Sequence, residues 1–251
     1  MELFSPQIRV ITGKYTFSKG LELEINSSED TYYDWVRLRF VRPMERTVAI
    51  ARREPVTVQL GYNGSYEPVF TGYTTTDFSS GSDADTLLAK DGMQLLEDVQ
   101  INSTFTAATP QEIIRYCAGQ AGITQLQLDT TVYQPRARLP VIGRNGIQTI
   151  QSLGACWRIQ PKFYFQDNVL FWGMTAPQKQ IYHFEYAKNI IDLRRTDGYW
   201  ELVTVSVPFV KHSQTIRITH PLVSGDFKVS RVRVNTKANG FIRTTLYFKG
   251  A

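Results

Sequence analysis

The sequence predicts a mainly β fold with an α+β unit set between two β-rich stretches, and three observations carry that prediction. Short runs such as "LELEIN" and "VTVQLGY" alternate apolar and polar residues, the period of two that puts successive side chains on opposite faces of a sheet. Tyr (13), Phe (14) and Trp (4) supply the aromatic residues that suit pleated, half-buried surfaces, and Gly and Pro are spread between the runs as turn signals. One stretch, "TPQEIIRYCAGQAGI", breaks this texture with the signature of a capped helix.

Taken in order, Gln7 to Ile11 reads as a short strand leading to Gly13, and Leu21, Leu23 and Ile25 alternate with Glu22, Glu24 and Asn26 as a strand with one wet face. After the loop "NSSEDTYYD", "WVRLRFV" puts Val36, Leu38 and Phe40 on one side and Arg37 and Arg39 on the other, and Pro43 ends the run because it has no N–H for a ladder. Val56, Val58 and Leu60 share a face of the next strand, "GYNGSYEP" supplies turn chemistry, and "VFTGYTTT" returns, with Gly72 marking a bulge or a close backbone approach. "ADTLLAK" is a sixth strand. Six strands joined by short turns are the pattern of a closed or nearly closed β-barrel or a sandwich.

In the helical stretch Thr109 is an N-cap, Pro110 takes the first helical position and Glu112 completes a capping box. Ile113, Ile114, Cys117, Ala118 and Ala121 form its apolar face and Gly122 ends it. A linker containing Pro135 and Pro140 then leads to "RNGIQTIQSLGACW", where Asn145 caps a second helix with Ile147, Ile150 and Leu153 inward. "WRIQPKFYF" and "VLFWG" follow as a hairpin around Gln166, Asp167 and Asn168. Strand alternation resumes with Val203, Val205 and Val207, then Ile216 and Ile218, and ends with Ile242, Thr244, Leu246 and Phe248 on one face. The expected division is residues 1–100 as a first β domain, 101–177 as the α+β domain and 178–251 as a second β domain.

Length and composition, 251 residues with 42% hydrophobic and 20% charged, are those of an ordinary globular chain. The net charge of +5 bears on solubility and encounter rather than on fold. Cys117 and Cys156 stand in no C-x-x-C or metal-ligand spacing and both read as buried thiols in a reducing compartment. The first residues carry no basic stretch followed by an apolar one, and no window approaches the roughly 18 apolar residues of a membrane span, so synthesis in the cytoplasm and no membrane insertion are expected.

A search for chemistry yields little. His183, His212 and His220 fall in no zinc spacing, so no metal site and no cofactor are expected, and no serine lies in G-x-S-x-G. Asp77, Asp83, Asp85 and Asp91 read as a solvated stretch beside a strand, with paired carboxylates or calcium ligands as the alternatives. The charge run "RLRFVRPMERTVAIARRE" holds Arg37, Arg39, Arg42, Arg46, Arg52 and Arg53, which reads as an interface or a solvated face, with a phosphate backbone as the other partner. No catalytic residue is expected.

The order of these segments resembles the baseplate hub proteins of phage tails and related contractile injection machines, the late control protein D-like family. The segments that carry the resemblance are "VTVQLGY" and "PVFTGYTT", "LLAKDGMQLL", "TPQEIIRYCAGQAGI", "GIQTIQSLGACWRIQPKFYFQDNVLFWG" and "HPLVSGDFKVSRVRVNTKANGFIRTTLYF". The resemblance implies two tail-tube-like β-barrel domains flanking a small α+β domain. It also implies a homotrimer whose six barrels make a pseudo-sixfold ring in the virion baseplate, assembled in the host cytoplasm. Its partners would be the tail tube ring, the central spike and baseplate wedge or tape-measure proteins, with DNA passing through the channel without specific binding. Arg37, Arg39, Arg42 and Arg46 are then expected at a subunit or ring contact. A tail-tip peptidoglycan hydrolase using Asp77 and Asp83, and a barrel-type nucleic-acid binder, are the competing expectations.

Overall fold

The computed structural model describes residues 6–41, 48–80, 86–205, 207, 209–237 and 241–250. The N-terminal segment contains β1 (Pro6–Thr12), β2 (Tyr15–Phe17), β3 (Leu21–Ser28), β4 (Trp35–Phe40), β5 (Ala49–Ile50), β6 (Pro55–Tyr62), β7 (Ser65–Thr74), β8 (Phe78–Ser79) and β9 (Thr86–Lys90). The middle segment contains α1 (Met93–Asp98), β10 (Gln100–Ala108), α2 (Pro110–Gln120), β11 (Leu126–Leu128), β12 (Arg136–Asn145), α3 (Gly146–Trp157), β13 (Phe163–Gln166) and β14 (Val169–Trp172). The C-terminal segment contains β15 (Tyr182–Glu185), β16 (Ile190–Thr196), β17 (Tyr199–Val205), β18 (Thr215–His220), β19 (Val223–Thr236) and β20 (Ile242–Phe248). The chain forms two compact units, Met1–Asp91 with Pro177–Ala251, and Gly92–Ala176.

The first unit is built on one sheet of 13 strands with the path β16-β17-β20-β19-β3-β4-β9-β7-β6-β1-β2, and β18 and β15 branch from β19. Its two terminal segments share this sheet because β3 and β19 pair antiparallel with Ile25 opposite Val234. Thr236 reinforces the pairing by accepting the Leu23 N–H at 3.0 Å. The strand faces follow the sequence pattern: Val36 and Leu38 are buried while Arg37 and Arg39 are exposed, and Ile242, Thr244, Leu246 and Phe248 are all buried. One core runs through residues of both segments, from Val10, Leu38 and Leu60 to Ile216, Leu246 and Phe248.

The hairpin β6–β7 turns at Asn63 and Gly64, with Tyr62 opposite Ser65. Both turn residues have positive φ (54° and 85°), the primed geometry that matches the twist of the flanking strands. The bulge in this hairpin lies at Val69, where the register shifts between Val58 opposite Phe70 and Gln59 opposite Pro68. Gly72 serves the close approach instead: a Cβ there would run into the Lys90 carbonyl of β9.

In the second unit α2 carries the expected capping box, with the Thr109 N–H donating to Glu112 Oε2 at 2.7 Å. That bond from Thr109 holds the exposed Glu112 carboxyl below its ordinary range. We expect Thr109→Ala to lower the stability of this unit by about 1 kcal/mol, read as a shift in its urea midpoint; an unmoved midpoint would show the box to be idle. Asn145 caps α3 in the same way, through Gln148. Cys117 is fully buried and burial pushes its thiol up to about 12, which leaves it packing rather than reactive, whereas Cys156, also expected to be buried, is only half-buried near the end of α3.

Four local readings are corrected. The stretch with Pro140 is not a linker but β12, antiparallel to β10 in a two-stranded sheet where Pro140 faces Thr104. Proline is tolerated because a two-stranded ribbon leaves one side of each strand without a ladder partner. Trp157 ends α3 instead of opening a strand, and β13 begins only at Phe163, after Arg158 has left the helix in the left-handed region at φ 56°. The reversal falls on Asp167 and Asn168, both at positive φ, with Gln166 paired to Val169 as the last pair of the hairpin. Val207 lies beyond the end of β17, and in that strand Leu202 and Thr204 are the buried positions while Val203 and Val205 are only half-buried, because the strand turns its Leu202 side to the core.

Candidate assembly surface

The wet face of β4, β3 and β19 carries an ionic ladder whose spacing is set by register. Arg39 lies opposite Glu22 and Arg37 opposite Glu24 across the β3–β4 pair. The corresponding charge distances are 3.5 Å and 3.7 Å. From the other side of β3, Arg233 of β19 also reaches Glu24. The row therefore places three guanidinium groups against two carboxylates. Arg37 extends over the Trp35 ring at 5.4 Å and Arg231 over Tyr247 at 3.8 Å, so planar cations and aromatic faces are interleaved along the same sheet.

Arg37 and Arg39 keep more than half of their side-chain surface exposed, so their pairs are screened and contribute about 0–1 kcal/mol each. Such a face contributes little to holding the fold together and is available for recognition, because the planar fork of arginine matches carboxylates bidentately. Arg42 and Arg46 lie outside the described residues. Arg52 and Arg53 belong to the turn before β6, where the Arg52 N–H donates to Asp77 Oδ1 at 2.7 Å and Arg53 takes a left-handed φ of 66°. The sequence run thus splits between a sheet face and a turn. Arg231 and Arg233 escaped the sequence reading because only the β3–β19 pairing brings them onto this face, Arg231 opposite Ser28 and Arg233 within reach of Glu24.

The remaining candidates are dispersed. Asp83 and Asp85 lie outside the described residues, Asp77 caps the Arg52 turn, and Asp91 is buried and accepts the Asp34 N–H at 3.0 Å. His183 Nε2 lies 2.8 Å from Thr219 Oγ1, and His220 accepts the Leu222 N–H while its ring stands edge-on to Tyr186. His212 is buried beside Asp34. Among the described residues no three His, Cys, Asp or Glu side chains are grouped so as to hold a metal ion. Nor is any helix among them long and apolar enough to cross a membrane.

No protein-family model matches the sequence, and no curated protein matches it. Solved structures do. The 43 kDa tail protein of prophage MuSo2 from Shewanella oneidensis superposes with a TM-score of 0.75 at 12% identity, covering 97% of each chain. A tail protein from Neisseria meningitidis MC58 gives 0.72 at 10% identity over 98% of this chain and 97% of its own. The E. coli c3393 protein, a component of the type VI secretion system with structural similarity to the T4 bacteriophage tail proteins gp27 and gp5, gives 0.69 at 9% identity over 96% and 76%. The fold of this chain is therefore, over nearly its whole length, that of phage tail proteins and a type VI secretion component, as its resemblance to baseplate hubs implied.

Proposed function

We propose that the chain is a structural baseplate hub of a phage tail or related contractile injection machine, and that three copies form a pseudo-sixfold ring joining the tail tube to the central spike around a channel. The observation that carries this reading is the full-length fold match to tail proteins. In it, β1 to β9 form the wall of one tail-tube-like barrel and β15 to β20 that of the other, with the small α+β domain between them in sequence.

The sheet topology supports the ring. Within one chain β3 and β19 already join the two terminal segments, and the strand path ends at β2 on one side and at β16 on the other. Three such chains would alternate internal joints with joints between copies, a head-to-tail contact that removes open edges once the ring closes. The function would then reside in large packed interfaces rather than in a reactive group.

Light scattering and negative-stain imaging of the purified chain test the proposal. A mass of three chains with a ring outline is expected, and a single-chain mass at every concentration counts against it. The double variant Arg37→Glu, Arg39→Glu asks whether the ladder face is part of a contact. It sets like charges across β3–β4 at a cost on the order of 1 kcal/mol, small enough to leave the fold intact. We expect it to remain single-chain with an unchanged circular dichroism spectrum; a ring formed by this variant removes Arg37 and Arg39 from the contact while leaving the hub reading in place.

A further inference from the structure

A chain of polar groups runs from the buried His212 and Ser213 to the half-buried Asp34 and Glu29 where the loop before β4 meets residues 209–214, at the seam that joins the two terminal segments of the first unit. Asp34 stands just before β4. Its Oδ1 accepts the Ser28 N–H at 3.0 Å, its own N–H donates to Asp91 Oδ2 at 3.0 Å, and its carbonyl accepts the Asp91 N–H at 2.9 Å. His212, 1% exposed, brings Nε2 to 3.9 Å from Asp34 Oδ2. Its other ring nitrogen, Nδ1, is 3.0 Å from Ser213 Oγ. The serine hydroxyl donates to Glu29 Oε2 at 3.2 Å, and the same oxygen lies 3.0 Å from Lys228 Nζ. The backbone closes the seam at the same place, with the Ser213 N–H on the Val229 carbonyl and the Glu29 N–H on the Ser230 carbonyl.

Hydrogen-bond direction fixes where the protons are. Glu29, paired with Lys228, is an acceptor, so Ser213 spends its only O–H on it and must accept from His212, which places a proton on Nδ1. Nε2 then faces the Asp34 carboxyl in one of two ways. Either the ring is neutral, Nε2 offers a lone pair and Asp34 is protonated, or the ring is an imidazolium and Asp34 is a carboxylate. Both arrangements hold one proton between the two groups. At 3.9 Å the pair is at ion-pair distance but beyond a hydrogen bond, so the coupling is electrostatic.

We propose that Asp34 and His212 jointly hold a single proton in this seam and act as a proton-sharing latch, whose constant charge keeps the two terminal segments fastened through mildly acidic pH. Burial pushes the Asp34 carboxyl up to about 7 against the favourable bonds from Ser27 and Ser28 and the charge of Lys211. The other charged groups around the seam are Asp91 at the end of β9, Glu29 and Lys228, and farther out Asp30 and Lys249, both near Tyr199.

The sign of the linkage gives an unusual signature. An isolated Asp whose folded pKa is raised contributes stability that is complete below its unfolded value and lost as pH rises through the folded one. In the unfolded chain, however, His212 takes up a proton below about pH 6.5 while the aspartate stays ionised down to about pH 4. Folded and unfolded states therefore bind the same number of protons across that range, and the latch is pH-indifferent. Removing either partner exposes the other. His212→Gln leaves a folded carboxylic acid against an unfolded carboxylate, so stability should rise on acidification. Asp34→Asn leaves a buried neutral imidazole against an unfolded imidazolium, so stability should fall.

Hydrogen-exchange protection of the Glu29, Asp34 and Ser213 amides, corrected for the intrinsic exchange rate, reads this locally between about pH 5 and about pH 6.5. We expect a nearly flat profile in the wild type and opposite slopes approaching tenfold per pH unit in the two variants. Slopes of the same sign, or flat profiles in both variants, overturn the proposal. Should a variant fail to fold, the wild-type chain decides by NMR. The His212 ring and the Asp34 carboxyl carbon should follow one common midpoint, and separate midpoints more than about one unit apart overturn it.

Discussion

Replacing Gly72 by alanine is expected to lower the stability of the first unit by about 3 kcal/mol or more, the upper range for forcing a methyl into filled space. Gly72 lies opposite Val56 in the β6–β7 hairpin, one residue before β7 pairs with β9 through Tyr73 and Lys90. An added Cβ would overlap the Lys90 carbonyl and come within 2.8 Å of Phe70 Cζ. Phenylalanine could swing aside, but the carbonyl belongs to a paired strand and cannot. Nearby, Thr74 fixes the strand further, donating to the Ala51 carbonyl at 2.7 Å and accepting the Glu54 N–H at 3.0 Å. Gly64→Ala is the informative comparison. It meets no atom within 4 Å and strains only a φ of +85°, so about 1–2 kcal/mol is expected. Urea unfolding of the two variants checks the pair, and a Gly72→Ala midpoint within error of the wild type would remove the close approach as the reason for glycine.

Phe248→Ala should cost about 3–5 kcal/mol, the range for truncating a buried aromatic side chain. Phe248 is fully buried, faces Trp200 of β17 and Val229 of β19 in register, and its ring centre lies 4.9 Å from that of Phe227. Because one core spans both terminal segments, the loss is expected to be shared. Fluorescence of Trp35, in the N-terminal segment, and of Trp200, in the C-terminal one, each read in a variant that lacks the other three tryptophans, should report one common and equally lowered midpoint. A Trp35 signal that keeps the wild-type midpoint while that of Trp200 falls would show that the segments fold separately despite their common sheet.

What could be read in advance was local. The strand faces of Val36 and Leu38, or of Leu246 and Phe248, follow from a period of two that needs no knowledge of neighbours. The caps at Thr109 and Asn145 follow from side chains three residues away, and the β6–β7 turn from Asn63 and Gly64. Where local signals conflicted, the reading failed. Pro140 argued for a linker, yet it sits in a strand because its ribbon has only two members. The six-residue helix α1 was not read, being too short for a periodic face. Of the proposed interface arginines, Arg37 and Arg39 were correctly placed on the polar side of a strand, a placement that says nothing about what meets them.

By itself, then, the sequence determined the apolar faces of strands such as β4 and β20 and the caps of α2 and α3. The tertiary structure alone decided that the first and last strand groups share a sheet, with Leu23 bonded to Thr236 at a separation of 213 residues. It decided that Arg233 completes the ladder on Glu24, that Gly72 must yield to Lys90, and that His212 closes on Asp34. The physical reason is common to all four. Periodicity, caps and turns are set by torsions and bonds within a few residues, whereas the pairing of distant strands depends on mutual packing of whole faces after long loops have closed, and no local pattern encodes that choice.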